Sequence, residues 1–199
     1  PVNTLSTPLN QNGAFGFQFK FPTSGFVTLR FGFNTFPIYV EGGDSISLTI
    51  DDPSLVRPNL EFKGDKSRQN QFVYAVHYFV DSLKNSYARQ ENSQYLNFIY
   101  SLEYPEFERV TTDIRNQTVN YINKNSDWVN DADFMELQTK ITRWNYIYDH
   151  FRYPLIHNSK NRYDPDFQPV TKEIIKDKIE QIDFSDLDLL RHPNYREFI

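Results

Sequence analysis

The sequence predicts an α+β chain, with a small antiparallel β-sandwich or curled sheet in residues 1–64 followed by an all-helical bundle in residues 65–199. Two observations carry this reading. Apolar residues recur at every second position as far as Gly64 and at every third or fourth position beyond it. In the string Phe36-Pro-Ile-Tyr-Val-Glu-Gly-Gly-Asp44-Ser-Ile-Ser-Leu-Thr-Ile-Asp51, two alternating patterns meet at a glycine-rich turn that ends in an acid.

The elements follow in order. Phe15, Phe17, Phe19 and Phe21 alternate with Gly16, Gln18 and Lys20, the pattern of a strand with one apolar face. Its expected partner is Phe26–Phe33, reached through Pro22-Thr-Ser-Gly25. Ile38 and Val40, then Ile46, Leu48 and Ile50, continue the alternation around Gly42-Gly43. There the glycines permit positive φ, and Asp44 can accept hydrogen bonds from nearby amides. Leu60–Lys63 closes the strands.

From Asp65, read as an N-cap, Phe72, Val76, Phe79, Leu83 and Tyr87 mark a long helix. A second helical stretch covers Gln94–Leu102, and after a break near Tyr104-Pro105 the pattern resumes with Phe107, Val110, Ile114, Thr118 and Tyr121. The most regular stripe follows Asp131, at Phe134, Leu137, Ile141, Trp144, Tyr148 and Phe151. Pro154 is expected to end that helix, leaving Ile156–Pro169 as a loop. Thr171–Ile182 reads as a short helix, and Ser185 as the cap of a last segment through Leu187, Leu190, Tyr195 and Phe198. The apolar ending at Phe198-Ile199 suggests a polypeptide that continues.

Composition narrows the function classes. A net charge of −5, with no basic run interleaved with aromatics, argues against general affinity for nucleic acid or anionic lipid. With no cysteine, thiol catalysis, thiolate metal sites and disulfides are excluded within these residues. No apolar run approaches the ~20 residues that span a bilayer. Eighteen Phe and 13 Tyr supply ample area for a core or an interface.

Each group of residues that could carry chemistry has a plainer reading beside it. Asp149, His150 and His157, with Asp164 and Asp166, are imidazole and carboxylate ligands of the kind that suit zinc, iron or manganese. The break at Pro154 separates the two histidines, so the plainer reading is a helix end and a polar loop. Asp51-Asp52 near Asp44 resembles a carboxylate pair, yet adjacent strand residues point to opposite faces, and Asp-Asp-Pro commonly ends a strand. Ser67, Ser82 or Ser101 could join His77 in a triad only by free choice, since no Gly-x-Ser-x-Gly elbow is present. Gly42-Gly43 is followed by neither a Walker nor a Rossmann pattern. Trp144 belongs to the apolar stripe, whereas Trp128, in a polar stretch, is the candidate for a surface contact or a sugar-stacking platform. Asn116-Gln-Thr118 matches a glycosylation sequon.

The string from Phe36 to Ile50, followed by Leu60-Glu-Phe-Lys-Gly64 and Asn70, resembles the N-terminal region of TlpA-like thiol-disulfide oxidoreductases of Bacteroidetes. The resemblance is concentrated in residues 25–70, and Gly42 departs from it where related sequences often carry proline. It implies a β domain, then a helical region, then a thioredoxin-like domain with Cys-x-x-Cys, in a protein of the periplasm or cell envelope. Since this chain has no cysteine, the resemblance implies an accessory region with no catalytic, cofactor-binding or metal-binding residue of its own. Such a region would position the thioredoxin-like domain or recognise an envelope partner. The rival reading, drawn from the aromatic surplus, is a self-contained extracytoplasmic module that binds a glycan or another ligand.

Overall fold

A computed structural model describes residues 5–20, 23–32, 34–52, 55, 58–90, 93–183, 185–192 and 195. Four strands come first: β1 (Gly25–Phe31), β2 (Asn34–Val40), β3 (Ile46–Ile50) and β4 (Leu60–Gly64). The helices are α1 (Ser67–Gln90), α2 (Tyr95–Ile99), α3 (Tyr104–Lys124), α4 (Ser126–Val129), α5 (Ala132–Asn161) and α6 (Lys176–Ile179). Two 3-10 turns, Lys172–Ile175 and Leu187–Arg191, complete the set. The order, strands and then helices, is the one the change of period predicts.

The strands do not form a closed sandwich or one curled sheet. β1 pairs antiparallel with β2, from Gly25 opposite Val40 to Phe31 opposite Asn34, and β3 pairs with β4, from Ile46 opposite Gly64 to Ile50 opposite Leu60. Among the described residues no ladder joins the two ribbons. They share instead an apolar cluster in which Phe36, Ile38, Val40, Leu60 and Phe62 are buried, while Val27 and Leu29 of β1 and Ile46, Leu48 and Ile50 of β3 are half-covered.

The outer edge of β2 explains why the ribbon stops there. Pro37 has no amide proton to offer a further strand, and the backbone of Tyr39 is already engaged. The buried side chain of Asn70 accepts from Tyr39 N–H at 2.7 Å and donates to Tyr39 C=O at 2.9 Å, so a helix side chain stands where a strand would. Phe15–Lys20, expected to be a strand, is coil rather than strand, with Phe17 and Phe19 partly exposed. Phe21 and Phe33, from the same expectation, lie outside the described residues.

Around Gly42-Gly43 the expected turn is present. Gly43 has φ +97°, and the Asp44 carboxylate accepts from Glu41 N–H at 2.7 Å. The sheet-to-helix junction differs from the expectation at Asp65. Rather than capping α1, its carboxylate accepts from Ser45 N–H at 2.9 Å and its own N–H donates to Ser45 C=O at 3.0 Å. Gly64 makes this approach possible: its φ is +86°, and a Cβ there would sit 2.3 Å from the Ser45 carbonyl oxygen.

Asp131 caps α5 as its position suggests, accepting from Phe134 N–H at 3.0 Å. Pro154, however, does not end the helix, which runs on to Asn161. An interior proline costs about 3 kcal/mol, and residues on both sides of it supply anchors that offset this. The Tyr153 hydroxyl donates to Leu102 C=O at 2.7 Å, and His157 Nδ1 lies 3.0 Å from Tyr100 C=O, their rings stacked with centroids 4.8 Å apart. The loop therefore begins only after Asn161. Thr171–Ile182 is also divided, into a 3-10 turn and the single turn α6. Asp186, not Ser185, caps the last 3-10 turn, accepting from Asp188 N–H at 3.0 Å. Tyr195 is buried edge-to-face against Trp144 at 4.8 Å. Phe198 and Ile199 lie outside the described residues.

One cluster joins strands and helices. Phe26 and Tyr39 pack with Phe72 and Val73 of α1 and with Phe134, Met135 and Leu137 of α5. Among the described residues no helix is long and apolar enough to cross a membrane.

Candidate functional site

The polar residues that the sequence offers for chemistry are mostly used inside the fold. His150 and His157 are both fully buried on α5. His150 Nδ1 lies 2.9 Å from the carbonyl of Tyr146 one turn earlier, and His157 Nδ1 meets Tyr100 C=O. In each case a carbonyl can only accept, so Nδ1 carries the proton and Nε2 the lone pair. Asp164 and Asp166 lie apart from them, exposed in the loop, where the Asp164 carboxylate accepts from Asp166 N–H at 3.0 Å. Among the described residues no three His, Asp or Glu groups converge as a metal site.

The other proposed constellations separate in the same way. Asp51 follows the end of β3, its N–H donating to Asn59 C=O at 3.1 Å, while Asp44 is held by its own turn. His77 Nε2 is 3.5 Å from Asp81 one turn along α1, and Ser101 Oγ donates to Phe98 C=O at 2.7 Å. No hydrogen bond among the described residues joins His77 to Ser67, Ser82 or Ser101. The sequon threonine, Thr118, is buried in α3 and donates to Ile114 C=O at 2.7 Å, which withholds it from a glycosylation enzyme in the folded chain. Trp144 is core, at 2% exposure, and Trp128 is 47% exposed with its ring tilted against Phe72 at 6.3 Å.

What the fold does assemble is a pair of charged aromatic clusters back to back on α5. On one side the Asp149 carboxyl lies near Lys84, Arg152 and the Tyr100 hydroxyl. The Arg152 guanidinium sits 5.5 Å from the Tyr148 ring centre and 5.9 Å from that of Tyr100, while Lys84 Nζ sits 5.3 Å from that of Tyr95. Burial pushes the Asp149 carboxyl up, against the opposing pull of Lys84, Arg152 and the Tyr100 hydroxyl. Burial likewise raises Tyr95 and Tyr100, so both phenols remain protonated donors at neutral pH.

On the other side Tyr146 lies between two cations, the Arg115 guanidinium at 4.5 Å and Lys178 Nζ at 5.4 Å from its ring centre. Its hydroxyl is 3.2 Å from Thr112 Oγ1, and Lys178 pairs with Glu108 at 2.7 Å. His150 lies beneath, its ring 4.2 Å from that of Tyr146 and 5.0 Å from that of Phe107. Burial lowers its pKa to about 4, which keeps it neutral. Glu108 and Thr112 also line an open groove of about 410 Å³ with Pro105, Arg109, Asp113 and Asn116. Asp113 there accepts from Tyr87 and Gln117, and Arg109 holds Glu106 through two hydrogen bonds.

This arrangement can hold helices together and present a mixed-charge surface. Asp149 and His150, adjacent on α5 and so about 100° apart around it, each meet neighbours of their own, Lys84 and Arg152 for Asp149 and the Tyr146 carbonyl for His150. Sequence reading singles out Asp149 only as a neighbour of His150. The spacing Asp149-x-x-Arg152, opposite charges about one helical turn apart, is the signal that could have drawn attention to it.

No protein-family model, no curated protein and no solved structure matches this chain.

Proposed function

We propose that this chain is a non-catalytic region of an envelope protein of the TlpA-like thiol-disulfide oxidoreductase kind, where it positions a thioredoxin-like domain or recognises that domain's partner. One observation carries the reading. The residues on which the resemblance rests are used together at one joint: Asp44 closes the turn, Gly64 admits the Ser45 carbonyl, and Asn70 fastens β2 to α1. They set the angle between ribbon and helix, which suits an accessory region. The aromatic and charged residues on α5 likewise support a structural or binding role. The reading frame beyond Ile199 tests the proposal. A thioredoxin-like domain with Cys-x-x-Cys is expected there, and a stop codon at or just after Ile199 overturns it. Fractionation of the native host checks the location, with the periplasm or envelope as the expected compartment.

The exposed ring of Trp128 favours a second reading, a self-contained extracytoplasmic module for a glycan or another ligand. In that case a glycan panel gives binding that quenches Trp128 fluorescence and is lost in Trp128→Ala. Silence across a broad panel removes this reading and leaves the first one standing.

A further inference from the structure

Three of the four outer strand edges have a neighbour. The Asn70 side chain fills the edge of β2, α1 packs against β4, and the 3-10 turn Leu187–Arg191 lies against β1. Among the described residues the principal neighbour of β3 is β4, on its inner side. The bonds at either end of their ladder set its phase. Asp65 N–H donates to Ser45 C=O at 3.0 Å and Asp51 N–H donates to Asn59 C=O at 3.1 Å, so Ser47 and Thr49 are the strand residues bonded to β4. The N–H and C=O groups of Ile46, Leu48 and Ile50 therefore point outward, and among the described residues no hydrogen bond reaches them.

The side chains beside this edge are unfinished as well. Ile46, Leu48 and Ile50 belong to the ribbon cluster yet are only half-covered, while Ser47 and Thr49 are exposed on the other face. The strand Ile46-Ser-Leu-Thr-Ile50 carries neither the charge nor the proline that commonly protects an open edge.

We infer that this edge is a self-association site, at which β3 pairs antiparallel with β3 of a second copy about a two-fold axis at Leu48. The register follows from the phase. With Leu48 opposite Leu48 of the second copy, Ile46 falls opposite Ile50, and every outward N–H meets an outward C=O. A shift by one residue sets outward groups against groups already bonded to β4. The same register joins the two half-covered apolar rows and places Ser47 opposite Thr49, so no charge within the strand meets a like charge. Among the described strands β3 itself is the one that offers an uncovered, uncharged edge of matching phase, which is why the occupant is a second copy. Pairing uses the open edge of both copies, so association closes at a dimer. A five-residue edge buries less than the roughly 1,200 Å² of a standard interface, which makes the dimer weak, with a dissociation constant on the order of 100 µM.

Amide exchange resolved by residue reads the edge directly. At about 10 µM, where the chain is mostly monomer, Ser47 and Thr49 are expected to be protected while Ile46, Leu48 and Ile50 exchange near the free-peptide rate. At about 1 mM those three amides are expected to slow about fourfold, in step with a sedimentation average that moves toward the dimer. Paired charges test the register without touching the core, because Ser47 and Thr49 are exposed. Ser47→Glu/Thr49→Lys sets each new acid opposite a new base of the second copy and is expected to tighten the dimer about fivefold. Ser47→Lys/Thr49→Lys sets base opposite base and is expected to weaken it about fivefold. A monomer at every concentration up to about 1 mM, or equal dimerisation of the two charge variants, overturns the proposal. So does self-association that leaves the amides of Ile46, Leu48 and Ile50 unprotected, which assigns the contact to another face. Protection of these amides that does not change with concentration overturns it too, because the edge is then covered within one chain.

Discussion

Replacing Asn70 by alanine tests the joint between ribbon and helix at its most exacting point. The wild-type side chain makes three hydrogen bonds, to Tyr39 N–H, Tyr39 C=O and Lys66 C=O, at 2.7, 2.9 and 3.1 Å. The last matters least, because the same Lys66 carbonyl also accepts from Asn70 N–H at 2.9 Å in any variant. Among the described residues the two groups of Tyr39 have no such second partner, and Tyr39 is buried. An unsatisfied buried donor or acceptor costs about 1–3 kcal/mol, so the two together place the loss at about 2–6 kcal/mol. For a chain of this size a loss of about 4 kcal/mol corresponds to a melting temperature lower by about 8–16 °C. The assay is urea unfolding followed by the fluorescence of buried Trp144, with the slope checked for constancy so that the shift in midpoint reports stability. Asn70→Asp refines the test. Its carboxylate can still accept from Tyr39 N–H but can no longer donate to the two carbonyls, so at neutral pH it is expected to be at least as damaging as alanine. A loss below about 1 kcal/mol in both variants refutes the claim that the side chain substitutes for a strand.

The remaining predictions concern the turn, the buried histidine and the ion pairs near the last 3-10 turn. Gly64→Ala is expected to lose about 2–4 kcal/mol, from positive φ and from contact with the Ser45 carbonyl, whereas Gly43→Ala, with φ +97° but open space around it, loses about 1–2 kcal/mol; thermal melts of the two compare the terms. His150 has a folded pKa near 4 against 6.5 when unfolded, so the unfolded chain binds the extra proton first and stability falls as pH drops from about 6.5 to 4, by about 3 kcal/mol. Asp149, raised by burial, acts with the opposite sign: the folded chain holds its proton longer, so its contribution declines as pH rises above the unfolded carboxylate value of 3.8. The pH dependence of His150→Gln subtracted from that of wild type isolates the histidine, and a flat difference between pH 4 and 6.5 contradicts its buried neutral state. Lys140 pairs with Asp188 at 2.8 Å and Asp186 at 3.3 Å, and its hydrogen bond holds Asp188 below the usual carboxylate range. Lys140→Met is expected to cost less than about 1 kcal/mol, since these partly exposed groups are screened by water. That cost should be present above about pH 4, fade as Asp188 protonates on further acidification, and shrink in high salt; titrated stability curves at two ionic strengths check it.

Local chemistry in the sequence located what local chemistry determines. The turn at Gly42-Gly43-Asp44 and the burial of Trp144 on its apolar stripe each depend on residues a few positions apart, and each stands as read. What the residues do not carry is the identity of a distant partner. Asp65 is a fair cap by type, but Ser45, twenty residues away, takes its carboxylate. Pro154 is a fair helix breaker, yet Leu102 and Tyr100 supply the carbonyls that hold Tyr153 just before it and His157 just after it. Phe15–Lys20 alternates as well as any strand in the chain, and alternation cannot say whether an edge is there to receive it. The Asp149 cluster stayed hidden because Lys84 and Tyr100 come from other helices.

Helix α5 has 30 residues and so extends for about 45 Å, at about 1.5 Å per residue. Near one end Phe134 meets Tyr39 of the ribbon, in the middle Trp144 receives Tyr195, and near the other end His157 meets Tyr100. It therefore acts as a beam fixed at three stations. A tilt of about 5° about its middle would displace each end by about 2 Å, enough to part the hydrogen bond at His157 or the ring contact at Tyr39. A load applied to either end is thus felt at the other, and the first station to yield sets how far the beam can turn.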